Sequence, residues 1–405
     1  MNKSSSSFLS WMYDARVRGI ITQISLIAAV IFGAYWLVDN TLTNLEAQGK
    51  SLGFGFLFQT AGFQINQTFG TWLFDYNAGS STYLEVYYIG IANTFLVAAL
   101  GIFLATILGF AMGIMRLSNN FVVRTFASIY VEFIRNIPLL LQLFFWYFAV
   151  LRALPNKRDK VEIIPDMVGM NITGLYMPAP IPQVGFGYLV WSVVLAIVLI
   201  IGLSRWAAKR QQITGQRFPV FWTGLGILIV LPMVIYYAAG QPVAWSMPQF
   251  SETGPILRRG YQAGAGMQMI PEMIAVLLAL SLYTAGFIAE IVRAGILAVN
   301  KGQSEASFAL GLRPGITMRL VIIPQALRVI IPPLTSQYLN LTKNSSLAVA
   351  IAYPELVSIF AGTALNQVGK EIEMIFMMMS VYLTFSVVTA MFMNWFNARV
   401  KLIER

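Results

Sequence analysis

Few side chains in this sequence can do chemistry, and none belongs to a catalytic set. There is no Cys and no His, which removes thiol nucleophiles, disulfides, thiolate metal ligands and the usual near-neutral general base. The acids are scattered, without the clustered carboxylates of a metal site. Glu290 and Arg293 are spaced to share one helix face near the end of an apolar run. Charges at membrane depth are costly and are paired or functional. Two readings follow: a local ion pair that braces the chain, or an acid that holds a substrate ammonium or a gate. Gln142, Asn340, Thr342, Asn344, Ser345 and Ser346 place neutral hydrogen-bonding groups at or near other apolar runs. They suit a polar path for a zwitterion and, equally, hydrogen bonds between helices. Gln142, Glu290, Asn344 and Ser345 are the expected path residues. The run from Asn44 to Gly49-Lys50-Ser51 ends like a P-loop. It has Asn where the first Gly is required and lacks the strand-loop-helix context, so it is read as chance, and no cofactor is expected.

A different chemistry, that of docking, is written in Lys301-Gly-Gln-Ser-Glu-Ala-Ser-Phe-Ala-Leu-Gly311-Leu-Arg-Pro-Gly315. Ser304 can cap a helix start, and Glu305 in a first turn suits the helix dipole. Ala306, Phe308, Ala309 and Leu310 favour a short helix, Gly311 can end it in the left-handed region, and Pro314 stops any continuation. Such a helix has about two turns, and isolated helices shorter than about 12 residues are marginal in water. Something must hold it. A groove on a partner protein would do so and would cover Phe308 and Leu310; packing under the chain's own bundle would also serve.

These groups require membrane helices to position them. Of the 405 residues, 57% are hydrophobic and 11% charged, against about 25% charged in soluble domains. Lipid must therefore solvate part of the chain. Spans need roughly 20 apolar residues, and eight candidate runs lie near 19–37, 89–115, 138–150 with its upstream flank, 184–203, 219–238, 270–294, 326–341 and 373–396. A further run, 346–360, is interrupted by Pro354 and Glu355 and reads as a partial or re-entrant helix. The first run follows Arg16 and Arg18 like a signal peptide. Its apolar core is too long for one, and Tyr35-Trp36-Leu37 replaces a small-residue cleavage site, so a retained anchor is expected.

The net charge is +10. The basic residues form no aromatic-interleaved patch of the kind that binds nucleic acid. They flank apolar runs, which orients a membrane protein. With the N-terminus in the cytoplasm and eight crossings, Lys3, Arg16, Arg18, the basic residues of 116–135, 204–218 and 293–328, and the tail's Arg399, Lys401 and Arg405 all fall inside. Arg152, Lys157, Arg158 and Lys160 dissent, interleaved with Asp159, Glu162 and Asp166. Outside lie an aromatic segment, 39–84, that suits either the lipid interface or a cap on the bundle, and Pro- and Gly-rich loops at 153–183 and 239–269.

Glu305-Ala306-Ser307 with Gly311, followed by Val321-Ile322-Ile323-Pro324, resembles the EAA loop of ABC-importer permeases, with Ser307 where that family usually has a second Ala. Phe133-Ile-Arg135-Asn-Ile-Pro138-Leu-Leu-Leu-Gln142 resembles the signature of polar amino-acid permeases, which more often reads Arg-Gly-Thr-Pro. Ala289-Glu290-Ile-Val-Arg293-Ala-Gly295 and Lys343-Asn-Ser-Ser-Leu347 match as well. The resemblance covers about 88–398. It implies an all-α, polytopic membrane helix bundle of the type I ABC importer permease fold with about eight transmembrane helices. Residues 1–87 would supply the anchor and outer segment, 88–398 the permease domain with an inserted helix pair near 184–238, and 399–405 a cytoplasmic tail. This long form resembles permeases of broad-specificity L-amino-acid importers of the bacterial inner membrane. Implied partners are a cytoplasmic ABC ATPase dimer that does the hydrolysis, a second and homologous permease chain, a periplasmic amino-acid-binding protein, the L-amino acid and membrane lipid. Ser304, Glu305, Ala306, Phe308, Leu310 and Gly311 would couple to the ATPase.

An ion-coupled secondary transporter of small polar solutes is the alternative from another class. It would show buried acids or broken helices placed symmetrically in two halves, and the halves here do not look alike. Transport that depends on an added ATPase separates the two. The orientation has its own test. Residue 212 lies in the stretch 204–218, expected as a cytoplasmic loop for its four basic residues and no acids, and the chain has no native Cys. A Cys introduced at Gln212 should resist an impermeant thiol reagent added outside intact cells; labelling there would reverse the topology.

Overall fold

The structure is a computed structural model that describes residues 15–47, 52–216, 218–253, 255–256 and 259–400. Lys3 and the N-terminus, the Gly49-Lys50-Ser51 end of the P-loop-like run, Arg217, Lys401 and Arg405 lie outside the described residues.

In lipid every backbone polar group must be satisfied within the protein, so apolar runs of this length become helices. Helix α1 spans Ala15–Ala47. Helix α2, Tyr83–Met115, is capped by Thr82, whose hydroxyl accepts from the Glu85 N–H. Helix α3, Phe121–Asn136, is capped by Asn120. Pro138 cannot donate a backbone bond and pushes Ile137 into extended geometry. The chain therefore bends by 106° before α4, Leu139–Phe144, which runs on through a π-helical turn at Phe145–Val150. The expected third span is thus a broken pair rather than one helix. There follow α5 (Phe186–Thr214), α6 (Val220–Ala238), α7 (Pro271–Leu297), α8 (Lys301–Ala309), α9 (Ile323–Asn344) and α10 (Glu371–Val400). Among the described residues seven helical segments are long and apolar enough to cross a membrane, or eight with the bent pair counted as one.

Helix α7 is the axis of the bundle and packs on α2, α3, α4 and α9. Apolar lipid gives helices no hydrophobic reason to associate, so small residues that allow close approach carry the packing. A Cβ on Gly109 of α2 would lie 2.5 Å from Ile288, one on Gly113 2.7 Å from the Ala289 carbonyl, and one on Gly295 of α7 2.3 Å from Ile330 of α9. Gly109 and Gly113 thus permit the close approach of α2 to α7.

The aromatic segment expected outside packs in part as a cap. Phe56, Leu57 and Ala61 are buried against Leu356, Ile359, Phe360 and Met374 as a cap, while Phe54, Phe58 and Trp72 stay exposed. The stretches expected as loops carry strands instead. Strands β1 (Val161–Ile164), β2 (Val168–Asn171), β3 (Gly174–Met177) and β8 (Met267–Met269) form an antiparallel sheet. Strand β4 (Ala179–Pro182) pairs with β5 (Val243–Ser246), and β6 (Phe250–Ser251) with β7 (Gly260–Tyr261). The β2–β3 hairpin turns on Asn171, whose Oδ1 accepts from the Thr173 N–H at 2.9 Å. Helices α5 and α6 pack on each other; α5 departs after β4, and α6 returns into β5.

Overpacking a tight contact costs about 1–3 kcal/mol. Gly109→Leu should therefore lower the melting temperature of the purified protein in detergent. Gly226→Leu on α6, where a Cβ meets nothing within 4 Å, should leave it unchanged. Equal melting of the two variants would remove the close-packing account.

Candidate functional site

The loop expected to dock on a partner folds as a helix, with a different start. The cap of α8 is Asn300, whose Oδ1 accepts from the Gly302 N–H at 2.8 Å, not Ser304. The helix begins at Lys301, so Ser304 lies inside it and Glu305 in the second turn rather than the first. Asn caps as well as Ser does, and the earlier cap takes the helix. Ser307 faces inward, buried, donating to the Gln303 carbonyl at 2.6 Å. Gln303 in turn accepts from Gln325 of α9 at 3.1 Å. The opposite side is bare: Phe308 is 50% and Leu310 80% exposed, with Glu305 and Ala306 exposed beside them. The exit is a paired-bond cap. Gly311 has φ +73°, its N–H donates to Phe308 O at 2.9 Å, and Leu312 N–H donates to Ser307 O at 3.1 Å. A Cβ on Gly311 would meet nothing within 4 Å; backbone geometry, not crowding within the chain, favours Gly. The helix thus leans on its own chain through Ser307 and leaves an apolar face uncovered.

The second feature is the interrupted run after α9. A 3₁₀ segment, Ser345–Ile351, ends at Ala352 in the left-handed region, and a π-helical segment, Val357–Ala364, begins after Leu356. Between them the backbone is open and buried. Asn93 of α2 donates to the Pro354 carbonyl at 2.7 Å, and Thr94 accepts from the Leu356 N–H at 3.1 Å. Asn93 also donates to Thr68 and accepts from the Gly70 N–H, which joins the aromatic cap to the same point. Glu355 is 1% exposed. Its carboxylate accepts from the N–H groups of Val357 (2.9 Å) and Ser358 (2.7 Å) and from the Tyr382 hydroxyl of α10 (2.9 Å). The re-entrant reading anticipated the break at Pro354-Glu355. It missed Asn93, Thr94 and Tyr382, although an Asn-Thr pair inside an apolar run was a visible signal.

Residues 202–402 match the family described as binding-protein-dependent transport system inner membrane component. The chain is 47% identical over 402 residues to the general L-amino acid transport system permease protein AapQ of Rhizobium johnstonii, covering 98% of this chain and 96% of that protein. It is 48% identical to the putative amino-acid ABC transporter permease protein YhdX of Escherichia coli K12, covering 96% and 95%. The chain belongs to the amino-acid ABC transporter permeases. It is also 40% identical to the glutamate/glutamine/aspartate/asparagine transport system permease protein BztB of Rhodobacter capsulatus, covering 97% and 96%. Family membership sets aside the ion-coupled alternative and makes this a multi-pass transport subunit.

The permease does not gather the four expected path residues around one point. Glu290 is held by two guanidiniums: Arg293 at 2.6 Å, one turn along α7, and Arg116 across the contact with α2. The bracing reading describes it, and the brace reaches a second helix. Gln142 is buried and donates to the carbonyls of Ile134 (2.9 Å) and Ile137 (3.0 Å), which the bend at Pro138 leaves without helical partners. It closes a helix break. Ser345 is buried and donates to the Thr342 carbonyl at 2.7 Å, with Asn344 half-buried beside it at the end of α9. Neither shares a hydrogen-bond partner with Gln142 or Glu290.

A buried polar group left unpaired costs about 1–3 kcal/mol. Asn93→Ala strips partners from Gly70 and Pro354 together and should markedly lower the melting temperature in detergent. Thr22→Ala on the exposed face of α1 should not. Wild-type melting of Asn93→Ala would show that the break does not depend on this residue.

Proposed function

We propose that the chain is the membrane-spanning subunit of an ATP-driven importer of L-amino acids in the bacterial inner membrane, with both termini cytoplasmic. ATP hydrolysis takes place on a separate cytoplasmic ATPase dimer, a periplasmic binding protein delivers the amino acid, and a second, homologous permease chain completes the pore. Substrate class rests on relatives at 40–48% identity over nearly their whole length, whose names specify general L-amino acids in one case and glutamate, glutamine, aspartate and asparagine in another. Residues Asn344 and Ser345 stay in the proposed path. Gln142 and Glu290 act beside it, by holding helices in place.

The observation that carries the proposal is the bare face of α8. A helix of nine residues does not persist in water by itself, and a groove on the ATPase would cover Phe308 and Leu310. Ser304, Glu305 and Ala306 belong to the same docking segment. The loop joins α7 directly to α9, so a pull on α8 moves both spans. Motion of the ATPase dimer then opens the path to one side and afterwards to the other.

Gly311→Asp puts a Cβ and a charge at positive φ, at a backbone cost of about 1 kcal/mol, and places both against the partner surface. The variant should still insert in the membrane, since residue 311 lies in a loop. It should lose ATPase co-purification or stimulated hydrolysis, and with it uptake of L-amino acids into proteoliposomes. Normal uptake with normal ATPase retention would show that this loop is not the coupling element.

A further inference from the structure

A groove of about 530 Å³ runs between the end of α9 and the middle of α10. Lys343 and Ser346 stand on one wall, and Met378, Met379, Tyr382 and Leu383 on the other. Lys343 is the one charged residue among those that line it. Its side chain is exposed and forms no ion pair with any described residue.

This lysine lies deep. It is about 30 Å along the helix axis from Ile323, at the α8 end of α9. It shares the groove with Tyr382, which is about 16 Å along α10 from Glu371. An ammonium at membrane depth requires an anion or a water-filled cavity. The nearby acid does not serve: Glu355 is buried, with its oxygens engaged by two backbone N–H groups and the Tyr382 hydroxyl. Among the described residues no acid lines the groove, so an anion that pairs with this lysine there comes from outside them. Amino acids of every side-chain class share an α-carboxylate, and a transporter of many of them can fix that group and leave the side chain loosely held. The opposite wall suits that division. Met378, Met379 and Leu383 are apolar, and the unbranched thioether side chains adapt to varied shapes.

We propose that Lys343 binds the α-carboxylate of the amino acid in transit, with the substrate side chain against Met379 and Leu383. The inference rests on the import function proposed above. An acidic residue of the second permease chain is the competing anion.

The test uses the assembled transporter, with its ATPase, second permease and binding protein, in proteoliposomes. Uptake of L-glutamate, L-glutamine and L-arginine is measured for the wild type, Lys343→Met and Lys343→Arg. Loss of one charge-assisted hydrogen bond should lower uptake by about tenfold or more for every amino acid the wild type carries. Lys343→Arg keeps the charge and should retain most of the uptake, and both variants should elute as intact complexes. Wild-type uptake by Lys343→Met would overturn the proposal, as would a loss confined to L-glutamate or an equal loss in both variants. Dissociation of the Lys343→Met complex would assign the lysine to the subunit interface instead. A wild-type complex that imports none of the three would refute the import function itself, and this inference with it.

Discussion

A membrane bundle has no water in its walls to rescue a broken helix, so each backbone group freed by a bend must find a partner inside the protein. The centre of this permease is arranged around that constraint. At Ile137-Pro138, one side chain, Gln142, closes the gap by donating to two carbonyls. At Ala352–Leu356 the repair is shared among three elements: Asn93 and Thr94 from α2, Glu355 from the break itself, and Tyr382 from α10. Asn93 extends the repair to the aromatic cap through Thr68 and Gly70. The cap, α2, α10 and the break are therefore held at one polar point in a largely apolar body.

The second organising feature is the glycine-lined fit of α2, α7 and α9. Gly109 and Gly113 let α2 approach α7, and Gly295 lets α7 approach α9. Helices in such close contact move as a unit. The brace of Arg116, Glu290 and Arg293 joins α2 to α7 close to where α8 leaves the bundle. A displacement of α8 would thereby be passed to a packed group of spans rather than dissipated in one flexible helix.

Much of this was legible in the sequence, because long apolar runs, flanking charges and helix-ending residues are local signals. Gly311 is an example: its type and position alone announced the left-handed exit. The cap of α8 was misread by one turn because Asn300 and Ser304 are both good caps, and local chemistry does not choose between them. The strands were hidden by their brevity; four-residue runs between Gly and Pro read as loops until long-range pairing, such as β3 with β8, is known. Gln142 and Glu290 show a deeper limit. A polar side chain in an apolar run signals that it has a partner, but not which one. Whether that partner is a solute, a bent backbone or an arginine on another helix depends on contacts distant in sequence.

The helix pair between β4 and β5 has a consequence for the design of the molecule as a whole. Its entry and exit strands lie side by side, paired from Ala179 with Ser246 to Pro182 with Val243. The chain leaves and re-enters through one doorway, and between the two strands α5 and α6 form a hairpin that packs chiefly on itself. A hairpin contributes an even number of crossings. Parity is conserved, so each later span keeps its sidedness and α8 stays on the same face of the membrane. An ancestral chain could acquire or discard such a unit in a single event without inverting anything downstream, whereas a single added helix would turn the rest of the protein inside out.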